Sequence, residues 1–78
     1  MSDKLRVVNY RQMKALLESF GFVAQPRTSG TSHVKFIHED GRKALIPDHG
    51  ELTVGLLRNT LRDIRITRDQ YHERLRQL

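Results

Sequence analysis

The dipeptide Asp40-Gly41 constrains this chain more than any other feature. It stands between two runs of strand-like character, Ser32 to His38 and Lys43 to Pro47. A two-residue type I′ turn needs positive φ at both central residues, and Asp-Gly supplies them readily. The two runs are therefore expected to fold back on each other as an antiparallel hairpin. A two-residue turn also sets the register, in which Glu39 faces Arg42, His38 faces Lys43, Phe36 faces Leu45 and Val34 faces Pro47. Successive strand side chains point to opposite faces. Val34, Phe36 and Leu45 then share the core face. His33, Lys35, Ile37, Ala44, Ile46 and Asp48 share the other, with His33 across from Asp48.

Helical segments flank this hairpin. Asn9 and Gln12 have capping-box spacing, and Tyr10, Met13, Leu16, Leu17 and Phe20 recur with helical period. Gly21 supplies a left-handed residue to end that helix, and Phe22 can pack back on Leu17. The first helix is expected over Tyr10–Phe20, after a short leader, Met1 to Val8. A strand near Phe22–Gln25 follows, placed at an edge or ended by Pro26, which has no N–H to donate. Thr28 to Thr31 reads as a loop. Thr53 caps a second helix through Ile64, with Leu57, Leu61 and Ile64 inward. Thr67 and Gln70 repeat the capping-box spacing and open a short C-terminal helix with Tyr71, Leu75 and Leu78 inward. Helix, three strands, helix and helical tail make an α+β two-layer sandwich, helices on one face of a small antiparallel sheet.

The chain has 78 residues, which is room for one domain, 1–78, with a thin core. It has no cysteine, so disulfide bonds and thiolate zinc ligation are excluded. No apolar run approaches a membrane span, and the N-terminus lacks a signal-peptide stretch, so the cytoplasm is the default compartment. Neither glycine fingerprint of a nucleotide-binding fold occurs. Fourteen Lys+Arg against nine Asp+Glu give a formal charge of +5. That excess suits a polyanion such as RNA or DNA, or an acidic protein, although small soluble domains also carry such charge as plain solvation.

Four histidines could carry proton chemistry near neutral pH. His33 is the sharpest candidate, since it follows a small loop, starts a strand and points away from the core. The competing reading is an exposed strand histidine with no role. His49, in Pro47-Asp48-His49-Gly50, reads as a brace of the connection before the second helix. His38 and His72 read as solvated residues. No histidine pair has i, i+4 spacing and no carboxylate trio joins them, so neither a metal nor another cofactor is expected. Ser32 beside His33 is not a nucleophile–base pair, because neighbouring strand side chains diverge. Arg58, Arg62 and Arg65 fall on one helical stripe and can meet phosphates. Aromatic interleaving is sparse, which argues against a base-stacking platform.

Taken in order, Phe20-Gly21-Phe22, Gly30-Thr31-Ser32-His33, His38-Glu39-Asp40-Gly41-Arg42, Pro47-Asp48-His49-Gly50-Glu51-Leu52 and Gly55 to Leu61 resemble the HicA toxin family from about Lys4 to Leu75. The resemblance implies a double-stranded-RNA-binding-like α-β-β-β-α fold and a bacterial or archaeal mRNA interferase, the toxin of a pair with a HicB antitoxin. It implies that His33, at the start of the second strand, is the catalytic residue; His49 matches the family's Pro-x-His position. The family's commonest loop is a tight Gly-Ser-His, whereas Thr31 and Ser32 here separate Gly30 from His33. The expected RNA contacts are Gly30, Ser32, Lys35, Arg42, Lys43, Arg58 and Arg62, with Lys35 foremost because it shares the face of His33. The antitoxin is expected to cover His33 and Lys35 and to use Ile37 and Ile46 as apolar contacts. A non-catalytic RNA-binding module and an acidic-protein-binding domain are the competing functions.

Overall fold

A computed structural model describes residues 5–26 and 32–78. The elements are α1 (Tyr10–Ser19), β1 (Val23–Ala24), β2 (His33–Ile37), β3 (Lys43–Pro47), α2 (Val54–Asp63) and α3 (Arg68–Gln77). The three strands form one antiparallel sheet in the order β1-β2-β3. This is the expected α+β arrangement, α-β-β-β-α with a further C-terminal helix.

Local chemistry accounts for each helix end. Asn9 Oδ1 accepts from the Gln12 N–H (2.9 Å) and Gln12 Oε1 accepts from the Asn9 N–H (3.0 Å), closing the capping box of α1. At the other end Gly21 has φ +97, and the N–H groups of Phe22 and Gly21 donate to Leu17 O and Glu18 O, each at 3.0 Å. Those two bonds define a Schellman ending, with Phe20 as the cap rather than the last helical residue. Thr53 Oγ1 caps α2 through the Leu56 N–H (3.1 Å). Thr67 and Gln70 close a second capping box at α3.

The C-terminus of α2 makes the same Schellman bonds, Ile66 N–H to Leu61 O (3.0 Å) and Arg65 N–H to Arg62 O (3.2 Å). Here the left-handed position is held by Arg65, φ +61, the one non-glycine residue with positive φ among the described residues. An L-residue pays about 1–2 kcal/mol there, partly offset by the larger entropy that glycine loses on folding. Arg65→Gly is therefore expected to stabilise the domain by about 0.5–1 kcal/mol. A raised denaturant midpoint at unchanged slope is the measurement that checks it.

The hairpin loop differs from expectation. The His38 N–H donates to Arg42 O (2.9 Å) and the Gly41 N–H to His38 O (2.8 Å), so Glu39, Asp40 and Gly41 form a three-residue loop. Only Gly41 takes positive φ, +98, which fits a type I turn followed by a glycine bulge rather than a type I′ turn. Asp40 stabilises it by accepting from the Arg42 N–H (3.0 Å) and Arg42 Nε (2.8 Å). The extra residue shifts the register by one: His33 faces Pro47, Val34 faces Ile46, Lys35 faces Leu45, Phe36 faces Ala44 and Ile37 faces Lys43. β2 keeps its expected faces, with Val34 and Phe36 buried. β3 turns over. Ala44 and Ile46 enter the core, Ile46 being 0% exposed, and Leu45 emerges at 56%.

The core lies between the sheet's inner face and the helices. Met13, Leu16 and Leu17 of α1 and Leu57, Leu61 and Ile64 at α2 pack on Phe22, Val34, Phe36 and Ile46. The leader joins this core through Leu5 and Val8 and through a bond from the Leu52 N–H to Val8 O (2.9 Å). α3 pins the leader and α1. The buried Tyr71 hydroxyl donates to Arg6 O (2.6 Å), and burial pushes its pKa up to about 12. Arg74 donates to Ser19 O (2.7 Å) and lies 4.1 Å over the Phe20 ring. Leu75 is half-buried against the core. Leu78, expected inward, is 58% exposed and borders a hollow with Leu75, Arg11 and Ala15.

Candidate catalytic and nucleic-acid-binding face

The helices cover one face of the sheet and leave the other to solvent. Strand alternation therefore decides what that open face carries. β2 contributes His33 and Lys35, both exposed, and the half-buried Ile37. β3 contributes Lys43, Leu45 and Pro47 as their cross-strand partners. Val23, opposite Ile37 on β1, is 61% exposed. His33 and Lys35 are two residues apart on one strand, which places their Cα atoms about 7 Å apart. Lys43 lies diagonal to Lys35 across the β2–β3 pair. An imidazole and two ammonium groups thus line one open surface, interleaved with Ile37, Leu45 and Pro47.

His33 holds this place because it shares a strand with Val34 and Phe36, whose burial fixes the inner face of β2. The register shift left that alternation untouched. It moved the partner: His33 stands across from Pro47, and Asp48 lies opposite Ser32, to whose carbonyl its N–H donates (3.0 Å). Ser32 is exposed at the start of β2. Gly30 lies outside the described residues, so its expected phosphate contact has no structural account.

The expected cations do not form one set. Arg42 is half-buried, with Nε on Asp40 Oδ2 (2.8 Å), Nη1 on Ile64 O (2.6 Å) and its guanidinium 5.3 Å over the Phe22 ring. It ties the hairpin loop to the end of α2. The Asp40 carboxyl is held below the usual range by the Arg42 N–H and, less strongly, by the guanidinium. Arg58 and Arg62 are exposed on the flank of α2 that turns away from β3, around a hollow shared with Leu5, Ile66 and Arg68. The other flank of α2, Leu56, Asn59 and Asp63, faces β3. The helix therefore stands between these arginines and the His33 face. Arg65 does not continue their stripe, because the chain has left the helix by then, and it lines a hollow with Asp40, Arg42 and Asp63.

Two of the other histidines brace the fold, and the third, His49, is exposed. His49 Nδ1 is 3.3 Å from Asp48 Oδ1 in the connection after β3. His38 Nδ1 accepts from the Asp40 N–H (3.2 Å), and its ring stands edge-on to Phe22 at 5.1 Å. His72 Nε2 accepts from the Arg6 N–H (3.1 Å) and so holds the leader. Expected to be solvated, His38 and His72 are both half-buried braces, and only tertiary contact could reveal that. Leu45 and Val23 are the open-face residues missed in the sequence. Reading Asp40-Gly41 as a turn with one positive-φ position, not two, would have found Leu45.

The HicA_toxin family model, described as the HicA toxin of bacterial toxin–antitoxin systems, matches residues 10–66. The chain belongs to the HicA toxin family. The match runs from the first residue of α1 to the residue that completes the ending of α2, so it includes the whole sheet and His33. The helix α3 lies beyond it. A comparison with curated proteins returned no match. As a HicA toxin the chain is the toxic member of a toxin–antitoxin pair. No helix among the described residues is long and apolar enough to cross a membrane.

Proposed function

We propose that this HicA-family chain is an mRNA interferase that cleaves the RNA backbone by acid/base catalysis at His33. The observation that carries the reading is the exposed imidazole of His33 on the same open face as Lys35. An imidazole titrates near neutral pH, so it can remove the 2′-hydroxyl proton as that oxygen attacks phosphorus, or protonate the departing 5′-oxygen. Lys35 and Lys43 offset the charge that develops on the phosphorane oxygens. Gly30 and Ser32, close to His33 in sequence, are further RNA contacts in this reading. Arg58 and Arg62 on the far flank of α2 hold more distant phosphates of the strand, and Arg42 contributes mainly by positioning the hairpin.

The substrate is RNA in the bacterial cytoplasm, and the controlling partner is a HicB-like antitoxin. That antitoxin covers His33 and Lys35 and draws apolar contact from Ile37 and Leu45. Ile46, expected in that role, is buried in the core. Opposite charge speeds the encounter of a +5 toxin with an acidic antitoxin, so the association rate falls as salt rises.

The test is direct. Purified protein incubated with mixed RNA is expected to give fragments, and to give them equally in EDTA, because imidazole supplies the proton transfers. Intact RNA under all conditions would reduce the chain to a binding module. Cleavage that stops in chelator and returns with a divalent ion would replace the imidazole mechanism with a metal-assisted one.

A further inference from the structure

β3 is the last strand of the sheet, and no strand pairs with its outer edge among the described residues. The register determines which backbone groups face that edge. The Asp48 N–H donates to Ser32 O and the His38 N–H to Arg42 O. Antiparallel partners alternate between hydrogen-bonded and non-bonded pairs. The bonded pairs in between are therefore Val34–Ile46 and Phe36–Ala44. Lys43, Leu45 and Pro47 turn their backbone groups away from β2. Pro47 has no N–H, so the edge presents the donors of Lys43 and Leu45 together with the carbonyls of all three.

Beside this edge runs a groove of about 420 Å³. Lys35, Lys43 and Leu45 wall it on the sheet side, and Leu56, Asn59 and Asp63 on α2. Leu45 is 56% exposed and Leu56 is half-buried. An open ladder next to an apolar strip is a template for one more strand.

We propose that the β3 edge docks an extended acidic segment of the partner protein as a fourth strand, a proposal that rests on the antitoxin reading above. The added strand takes hydrogen bonds from the Lys43 and Leu45 N–H groups. Its side chains alternate. Those on the open face are Asp or Glu and meet Lys43 and Lys35, while those turned inward are apolar and rest on Leu56. Charge disfavours a second copy of this chain, which would bring two Lys43 side chains and two +5 domains to one seam. RNA is disfavoured because a phosphate backbone has no use for a carbonyl ladder or for Leu45.

Amide hydrogen exchange of the full chain tests this, with a capped peptide of alternating Glu and Val as probe and a Lys/Val peptide as control. At about ten times Kd of the acidic peptide, exchange at Lys43 and Leu45 is expected to slow about tenfold. Ala44 and Ile46, already bonded to β2, exchange only through opening of the fold and so report general stabilisation, whereas Lys43 and Leu45 report the added strand. Leu45→Glu is expected to weaken the peptide about tenfold by setting a carboxylate among the peptide's own on the open face. Leu45→Pro removes the edge donor without touching a β2 bond, and Leu45→Glu remains the informative variant if the proline unfolds the chain. No binding up to millimolar peptide, equal binding of the Lys/Val control, or binding without protection at Lys43 and Leu45 would overturn the proposal. Protection of this pair by a short RNA, or by raised protein concentration alone, would also overturn it in favour of substrate or self-pairing. A HicB-like antitoxin that stops cleavage should protect the same two amides. If it stops cleavage and leaves them unprotected, the edge proposal falls while the masking reading stands. If it does not stop cleavage, the masking reading falls and the peptide result decides the edge.

Discussion

His33→Ala is expected to lower RNA cleavage by about 10²–10⁴-fold, the contribution of one positioned acid or base, with the thermal melt unchanged. The melt should hold because His33 is exposed on the open sheet face, and truncating it removes no core surface. The loss should appear in kcat rather than in RNA binding, since the imidazole acts on the transferring proton and not on the phosphate charge. Lys35→Ala should lower both, kcat through the uncompensated phosphorane charge and binding through the lost phosphate contact, the binding loss being restored in part at low salt. Full cleavage by folded His33→Ala protein would remove the imidazole from the mechanism, and the lysines of the open face would then be the groups to examine.

Phe36→Ala is expected to unfold the domain at ordinary temperature. Phe36 is fully buried and its ring sits 6.4 Å from that of Tyr10. Truncating a buried phenylalanine costs about 3–5 kcal/mol. A core in a chain this small supplies about the same amount in total. The neighbouring strand gives a sharper check of the register. Ile46→Ala should cost about 2–5 kcal/mol, whereas Leu45→Ala should fall within about 0.5 kcal/mol of the parent. The reverse order in denaturant melts would restore the two-residue turn and return Leu45 to the core.

Much of the candidate face was legible because it depends on alternation within a single strand. Val34 and Phe36 point inward, so His33 and Lys35 point outward, whatever strand lies beside them. The two cations on α2 were legible as exposed for the same kind of reason, since Leu57 and Leu61 mark the inner face of the helix. Whether Arg58 and Arg62 share a surface with His33 was not legible. Both sit on α2, and only the packing of that helix against the sheet shows that it stands between them and β2. Arg42 illustrates the same limit. Its charge is evident in the sequence, but its bonds to Asp40, to Ile64 O and to the Phe22 ring come from three separate parts of the chain.

The sequence by itself determined the order of elements, the helix ends and the inward face of β2. These are set by interactions within a few residues: two capping boxes, a glycine at φ +97 after α1, and the period of the apolar residues. The tertiary structure alone decided the face of β3, the separation of the arginines from His33, and the roles of His38 and His72. A hairpin around Asp40-Gly41 can close with two loop residues or with three. The choice is made by what each closure buries. The three-residue loop places Ile46 and Ala44 against the helices and lets Asp40 accept from Arg42, which in turn reaches the end of α2. The Arg42–Ile64 bond spans 22 residues, and like the packing of β3 on the helices it is beyond the reach of a local turn pattern; together these contacts outweigh the preference of one dipeptide for one turn type.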